Sequence, residues 1–169
     1  KVATPDEIVE RFNLDLQKPI LLFTQHSVTT EFNHAAEQIA PSLAAMERLA
    51  KEEDCQVLLT YPNNDAGGSA IIDELKRFDN RKIDNIQLHR SLGQYFYHGV
   101  LALAKDGTRK VVCVGNSSSG IKETPAFGCP TINIGSRQQG RLRGENVEDV
   151  PYSQDMIVAA VKQAISDEN

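Results

Sequence analysis

Only three cysteines occur among the 169 residues, Cys55, Cys113 and Cys129, and no two form a CxxC pair. An odd count without such a pair argues against a disulfide framework and against a structural zinc site. Each thiol lies in or beside an apolar, strand-like run (CQVLLTY, VVCVG, GCPTINIG), so three buried free thiols in a reducing, cytoplasmic compartment are expected. An excess of basic charge is also lacking: 18 Lys and Arg against 23 Asp and Glu leave a mildly acidic balance, with net charge −5 and pI near 5.4. A generic nucleic-acid binder carries a basic face, so no nucleic-acid partner is expected. No apolar run approaches the length of a membrane span and no signal-peptide pattern opens the chain, so no membrane partner is expected either. No cluster of metal-ligating side chains is visible, and neither metal nor cofactor is expected. The first residue is Lys1 rather than Met, and the chain is expected to be part of a longer one.

The 40% hydrophobic content suits one domain with a full core. Thr4-Pro5-Asp6-Glu7 is a helix start, with Thr as cap, Pro at the first helical position and Glu7 closing a capping box. Apolar runs then predict strands at KPILLFTQ (18–25), CQVLLTYP (55–62), NIQLH (85–89), KVVCVG (110–115), CPTINIG (129–135) and ENVEDV (145–150). Between them lie helical stretches: 29–54, with Pro41 as a kink or break, GGSAIIDELKRF, SLGQYFYHGVLALAK with an awkward Gly99, SGIKETPAFG and a closing helix over 153–168. Such alternation predicts an α/β domain of Rossmann-like form, a parallel sheet with helices on both faces, over 1–169. Ligands of such sheets bind in the loops beyond the carboxyl ends of the strands.

Those loops hold the candidate site residues. The first is QHSVTTE, with His26 at the strand tip; the second, YPNNDAGGSA, is rich in residues suited to tight turns and close approach to a polar ligand. The third carries His89 and Arg90, which either serve a ligand or simply cap and solvate. The fourth, GNSSSGIKE (115–123), is nearly a Walker loop. It fails that pattern because Ile121 follows Gly120 and Glu123 follows Lys122, where a Lys and then a hydroxyl are required. No G-x-G-x-x-G fingerprint is present either. Ser117, Ser118, Ser119 and Gly120 nonetheless suit an anion held at a helix start. Glu123 has only Gly120 three residues before it, so no local capping partner occupies its carboxylate, and it suits a ribose diol. The fifth loop, SRQQGRLRG (136–144), gathers three arginines, of which Arg137 is positioned to meet an anion on the neighbouring loop.

GNSSSGIKETPAFGCPTINIGSRQQGRLRGENV (115–147) closely resembles the signature segment of the UDP-N-acetylglucosamine 2-epimerases, especially the hydrolysing branch. TQHSVTTE and YPNNDAGG resemble its earlier motifs in the same order and spacing, and the likeness runs from about Lys18 to the end. The resemblance implies the C-terminal half of a glycosyltransferase-B-like fold, with an N-terminal domain of the same enzyme, and homo-oligomers at full length. By motif position it implies that Ser118 and its neighbours hold the diphosphate, Glu123 the ribose diol, Arg137 a further part of UDP and Asn63 the substrate. It implies that His26 lies near the phosphates and sugar and assists electrostatically or as an acid. The reaction implied is elimination of UDP from UDP-N-acetylglucosamine or a close acetamido relative. Water then adds to give the free 2-epimer, N-acetylmannosamine. The isolated domain is expected to bind UDP weakly and turn over nothing. A non-hydrolysing epimerase, a glycosyltransferase of the same architecture and a UDP-sugar-sensing module remain open alternatives. Ser27 stands where many relatives have Pro and is expected to relax the loop around His26.

Overall fold

The computed structural model describes residues 1–105, 109–138 and 144–166. Strands β1 (Ile20–Thr24), β2 (Gln56–Thr60), β3 (Ile86–His89), β4 (Val111–Gly115), β5 (Thr131–Ile134) and β6 (Val147–Val150) form one sheet in the order β3-β2-β1-β4-β5-β6. Every neighbouring pair is parallel. The six predicted strand runs each contain one of these strands. The fold is therefore the expected α/β domain, a Rossmann-like parallel sheet.

Period-two alternation sorts the strand side chains between two cores. Leu21 and Phe23 of β1, Val57 and Leu59 of β2, and Val112 and Val114 of β4 face one side. There they meet α2 (Ala35–Glu52), α3 (Gly68–Asp79) and α6 (Gln154–Ser166). Ile20, Leu22, Leu58, Val111 and Cys113 face the other, against α1 (Pro5–Phe12) and α4 (Gly93–Ala102). All three cysteines are buried and free, and burial pushes the Cys55 thiol up to about 12.

The Thr4 capping box forms as read, with Glu7 N–H donating to Thr4 Oγ1 and Thr4 N–H to Glu7 Oε1. Gly99 is awkward only for an isolated helix. A Cβ there would lie 2.8 Å from the Ala3 Cβ, so α4 needs glycine to let the chain before α1 pack against it. Pro41 does not break its helix. α2 runs through it, and the break falls earlier, at Glu31 (φ −131°, ψ 26°), in a 3-10 stretch over Thr29–His34. The carbonyl that Pro41 leaves unserved belongs to Glu37, an exposed residue of the first turn, where water can take it.

The stretch SGIKETPAFG also differs from the expected helix. It divides into α5, a single turn over Ser119–Lys122, and a 3-10 turn over Thr124–Phe127, because Pro125 has no N–H to continue the ladder. Chain order along the sheet reverses between β1 and β4, and the crevice beyond their carboxyl ends is where such sheets bind ligands.

Candidate functional site

Asn116, buried at 1% exposure just beyond β4, organises that crevice. Its side-chain Oδ1 accepts the His26 N–H at 2.7 Å and its Nδ2 donates to the His26 carbonyl at 2.9 Å. Its own carbonyl accepts from Arg137 Nη1 at 3.0 Å and from Gln138 Nε2 at 2.9 Å. One residue thus joins the loops after β1, β4 and β5. The loops after β1 and β2 are joined separately: the Asn63 N–H donates to His26 Nδ1 at 2.9 Å, and the Ser27 hydroxyl donates to the Ala66 carbonyl. Ser27 therefore does not relax the loop. It is 1% exposed and ties two loops together.

With Nδ1 accepting from Asn63, the neutral imidazole of His26 carries its proton on Nε2. Burial, and then the Arg137 guanidinium, push its pKa down to about 4, against a smaller opposite effect of Asp65. Without a bound anion, His26 at neutral pH is a fixed N–H donor rather than a charged acid. Between its ordinary value and about 4 the unfolded chain takes up a proton that the folded chain refuses. Stability is complete above that window and falls as pH drops through it. Urea denaturation of the native chain and of His26→Asn at about pH 7 and about pH 4.5 should show an acid-side loss of about 2 kcal/mol in the native chain that the variant lacks.

The serine loop is held from α4. The Ser119 hydroxyl is hydrogen-bonded to the Tyr97 hydroxyl at 2.8 Å and to Ser117 Oγ at 3.0 Å. Burial raises the Tyr97 phenol far above its ordinary range, so it remains protonated. His98 Nε2 is hydrogen-bonded to Glu123 Oε1. Among the described residues the Ser117 and Ser118 N–H groups meet no protein acceptor. Because α5 is a single turn, its dipole adds little, and an anion here would depend on those amides, the hydroxyls and Arg137.

A cavity of about 440 Å³ opens along this wall, lined by His26, Asn63, Arg90, Tyr97, His98, Ser119 and Glu123, among others. Arg90 lies over the Tyr61 ring at 5.8 Å. Ser117 and Gly120 line a much smaller void behind the loop, and a Cβ on Gly120 would come within 3.2 Å of Thr131 Cγ2. Arg137 is outside the cavity lining and borders a separate hollow with Asp65, Thr29 and Thr30; its Nη2 is 4.0 Å from Asp65 Oδ2.

His89 does not join the cavity lining. Its Nε2 pairs with Gln87 Oε1 at 2.9 Å and its ring meets Phe12 edge-on at 5.2 Å. The end of β3 directs His89 onto the α1 side, and Arg90, one residue on, reaches the cavity instead. Lys122 is exposed and outside the lining, as its offset from the Walker register requires. Arg141 and Arg143 lie outside the described residues. Among the described residues no group of three His, Cys, Asp or Glu side chains is placed to hold a metal ion, and no helix is long and apolar enough to cross a membrane.

Sequence reasoning passes over Tyr97 and His98 as functional residues, and takes Asn116 only as part of the anion loop after the fourth strand. The one signal pointing toward His98 is Glu123 itself, whose carboxylate has no capping partner three residues before it.

The profile of the UDP-N-acetylglucosamine 2-epimerase family matches residues 2–169. The chain is 31% identical over 143 residues to a GDP/UDP-N,N'-diacetylbacillosamine 2-epimerase (hydrolyzing) of Campylobacter jejuni, covering 85% of this chain and 35% of that protein. It is 32% identical over 162 residues to a UDP-N-acetylglucosamine 2-epimerase of Neisseria meningitidis, covering 95% and 39%. It spans about two fifths of the length of these curated relatives. Among solved structures, the UDP-GlcNAc 2-epimerase from Methanocaldococcus jannaschii superposes over 97% of this chain and 44% of its own, with TM-score 0.68 at 12% identity. That likeness bears on the fold, and the profile and curated relatives bear on kinship: the chain belongs to the UDP-N-acetylglucosamine 2-epimerase family.

Proposed function

We propose that this chain is the UDP-sugar-binding domain of a hydrolysing UDP-N-acetylglucosamine 2-epimerase, a longer enzyme whose N-terminal domain completes the active site. The observation that carries the reading is the single cavity wall beside the sheet's reversal point, where the Ser119 hydroxyl and the Glu123 carboxylate stand at opposite ends of α5. One helical turn, about 5–6 Å, separates them, a spacing suited to a diphosphate at one end and a ribose diol at the other. The names of the Campylobacter and Legionella pneumophila relatives, both hydrolysing 2-epimerases, support that branch. The Neisseria relative's name supports UDP-N-acetylglucosamine as the sugar nucleotide.

In this reading the anomeric C–O bond breaks, the C2 proton is lost to a base on the N-terminal domain, and UDP departs. Water then adds to the glycal-type intermediate and gives N-acetylmannosamine or its close acetamido relative. Ser117 and Ser118 amides, the Ser119 hydroxyl and Arg137 stabilise charge as it grows on the leaving diphosphate. His26 serves as a neutral Nε2–H donor toward the same oxygens, and Asn63 contacts the sugar.

Calorimetry with UDP tests the site. Ser119→Ala, Glu123→Ala and Arg137→Ala should each weaken binding about tenfold, the loss of a charge-assisted hydrogen bond. Unchanged affinity in all three sinks the assignment. Incubating the full-length enzyme with UDP-N-acetylglucosamine should release free UDP and sugar in equal amounts. A 2-epimeric UDP-sugar without UDP release would instead identify the non-hydrolysing branch.

A further inference from the structure

α5 cannot hold its own shape. It is one turn long, and its N-cap Ser118 makes no side-chain capping bond; a single turn in isolation is strongly disfavoured by its nucleation cost. Two consecutive residues of α4 grip its two ends. The Tyr97 hydroxyl reaches Ser119, the first residue of α5, at 2.8 Å. His98 Nε2 reaches Glu123, its C-cap. The His98 ring also packs against Phe127 at 5.7 Å, on the 3-10 turn beyond. His98 is mostly buried, with 20% of its side chain exposed against 41% for Glu123, so the pair is anchored from within and open toward the cavity.

The chemistry of this pair bears on ligand choice. An imidazole N–H on Oε1 occupies one of about four lone-pair sites of the carboxylate and fixes its plane. The remaining sites can accept both hydroxyls of a vicinal diol, and a 2′-deoxyribose offers only one of the two. A freely rotating carboxylate would bind the diol with a larger entropic cost and discriminate less.

We propose that Tyr97 and His98 are positioning residues that set the two ends of the ligand loop independently. His98, by orienting Glu123, makes the site select ribonucleoside diphosphates over their 2′-deoxy counterparts. The inference rests on Glu123 as the ribose acceptor in the function proposed above.

The experiment is calorimetry on the full-length enzyme with UDP, 2′-deoxy-UDP and inorganic pyrophosphate. His98→Phe keeps the ring on Phe127 and removes the N–H. It should lower UDP affinity roughly tenfold, with 2′-deoxy-UDP and pyrophosphate little changed, so that the ratio of UDP to deoxy-UDP affinity falls toward one. His98→Gln, which restores an N–H donor at similar reach, should recover most of that ratio. Tyr97→Phe should weaken all three ligands by a common factor and leave the ratio intact. A wild-type ratio in His98→Phe overturns the proposal, as does an equal loss for all three ligands in that variant. A changed ratio in Tyr97→Phe overturns the independence of the two ends. Glu123→Gln separates the two levels of argument: if it keeps the wild-type ratio, the ribose reading of Glu123 itself fails. If it loses the ratio while His98→Phe keeps it, only the positioning role fails.

Discussion

Gly115→Ala is expected to destabilise the chain by about 4 kcal/mol, from a left-handed backbone angle and an overpacked contact that cannot relax. Gly115 ends β4 at φ +135°, and a Cβ built there lies 1.9 Å from the Thr24 carbonyl oxygen. That oxygen belongs to the neighbouring strand and accepts the Asn116 N–H at 3.1 Å. Relief therefore requires β1 and β4 to part at their carboxyl ends, where the proposed ligand sits. A urea titration checks this; a midpoint within experimental error of the native chain would show that the two strands can separate at little cost. Gly120→Ala provides the contrast, since its Cβ meets only a side-chain methyl of Thr131 at 3.2 Å, and its loss should be about 1 kcal/mol.

Asn116→Ala is the second large effect, expected to remove about 3 kcal/mol of stability by leaving the His26 N–H and carbonyl without their partners in a part-buried setting. It should also weaken UDP binding about tenfold, because the side chain that is removed positions the His26 backbone, while the backbone carbonyl that receives Arg137 is kept. Hydrogen exchange at the His26 amide offers a local check. Protection there should fall by about two orders of magnitude, while amides in the centre of β1 retain their rank order. If His26 stays protected, another acceptor has replaced Asn116, and the hub description is wrong.

The sheet was readable from sequence because its information is local. Short apolar runs such as ILLFT and VVCVG, each followed by a helical stretch, carry their own signature. The capping box at Thr4 is equally local, spanning three residues. Helix continuity proved harder. Pro41 reads as a kink or break, yet the cost of a missing N–H depends on whether water can reach one carbonyl, which composition does not encode. The site divides along the same line. Loop residues such as His26, Ser119 and Glu123 follow from strand order and motif likeness, and the structure brings them to one cavity. His89 is the last residue of β3 and Arg90 the first beyond it, and strand alternation sends His89, like Gln87, to the α1 side. Tyr97 and His98 lie in YFYHGVLALA, an apolar-looking helix, and their partners are 22 and 25 positions away. No periodicity reports a contact of that span.

The packing of Ala3 against Gly99 has a mechanical consequence. α4 is backed by the first dozen residues at three points. Ala3 lies on Gly99, the Ala3 N–H donates to the Tyr95 carbonyl at 3.2 Å, and the Tyr95 hydroxyl donates to Glu7 at 2.7 Å. On its other flank α4 grips the ligand loop. The opening segment and the ligand loop thus share one strut: Tyr95 of α4 meets Glu7, while Tyr97 and His98, two and three residues on, meet Ser119 and Glu123.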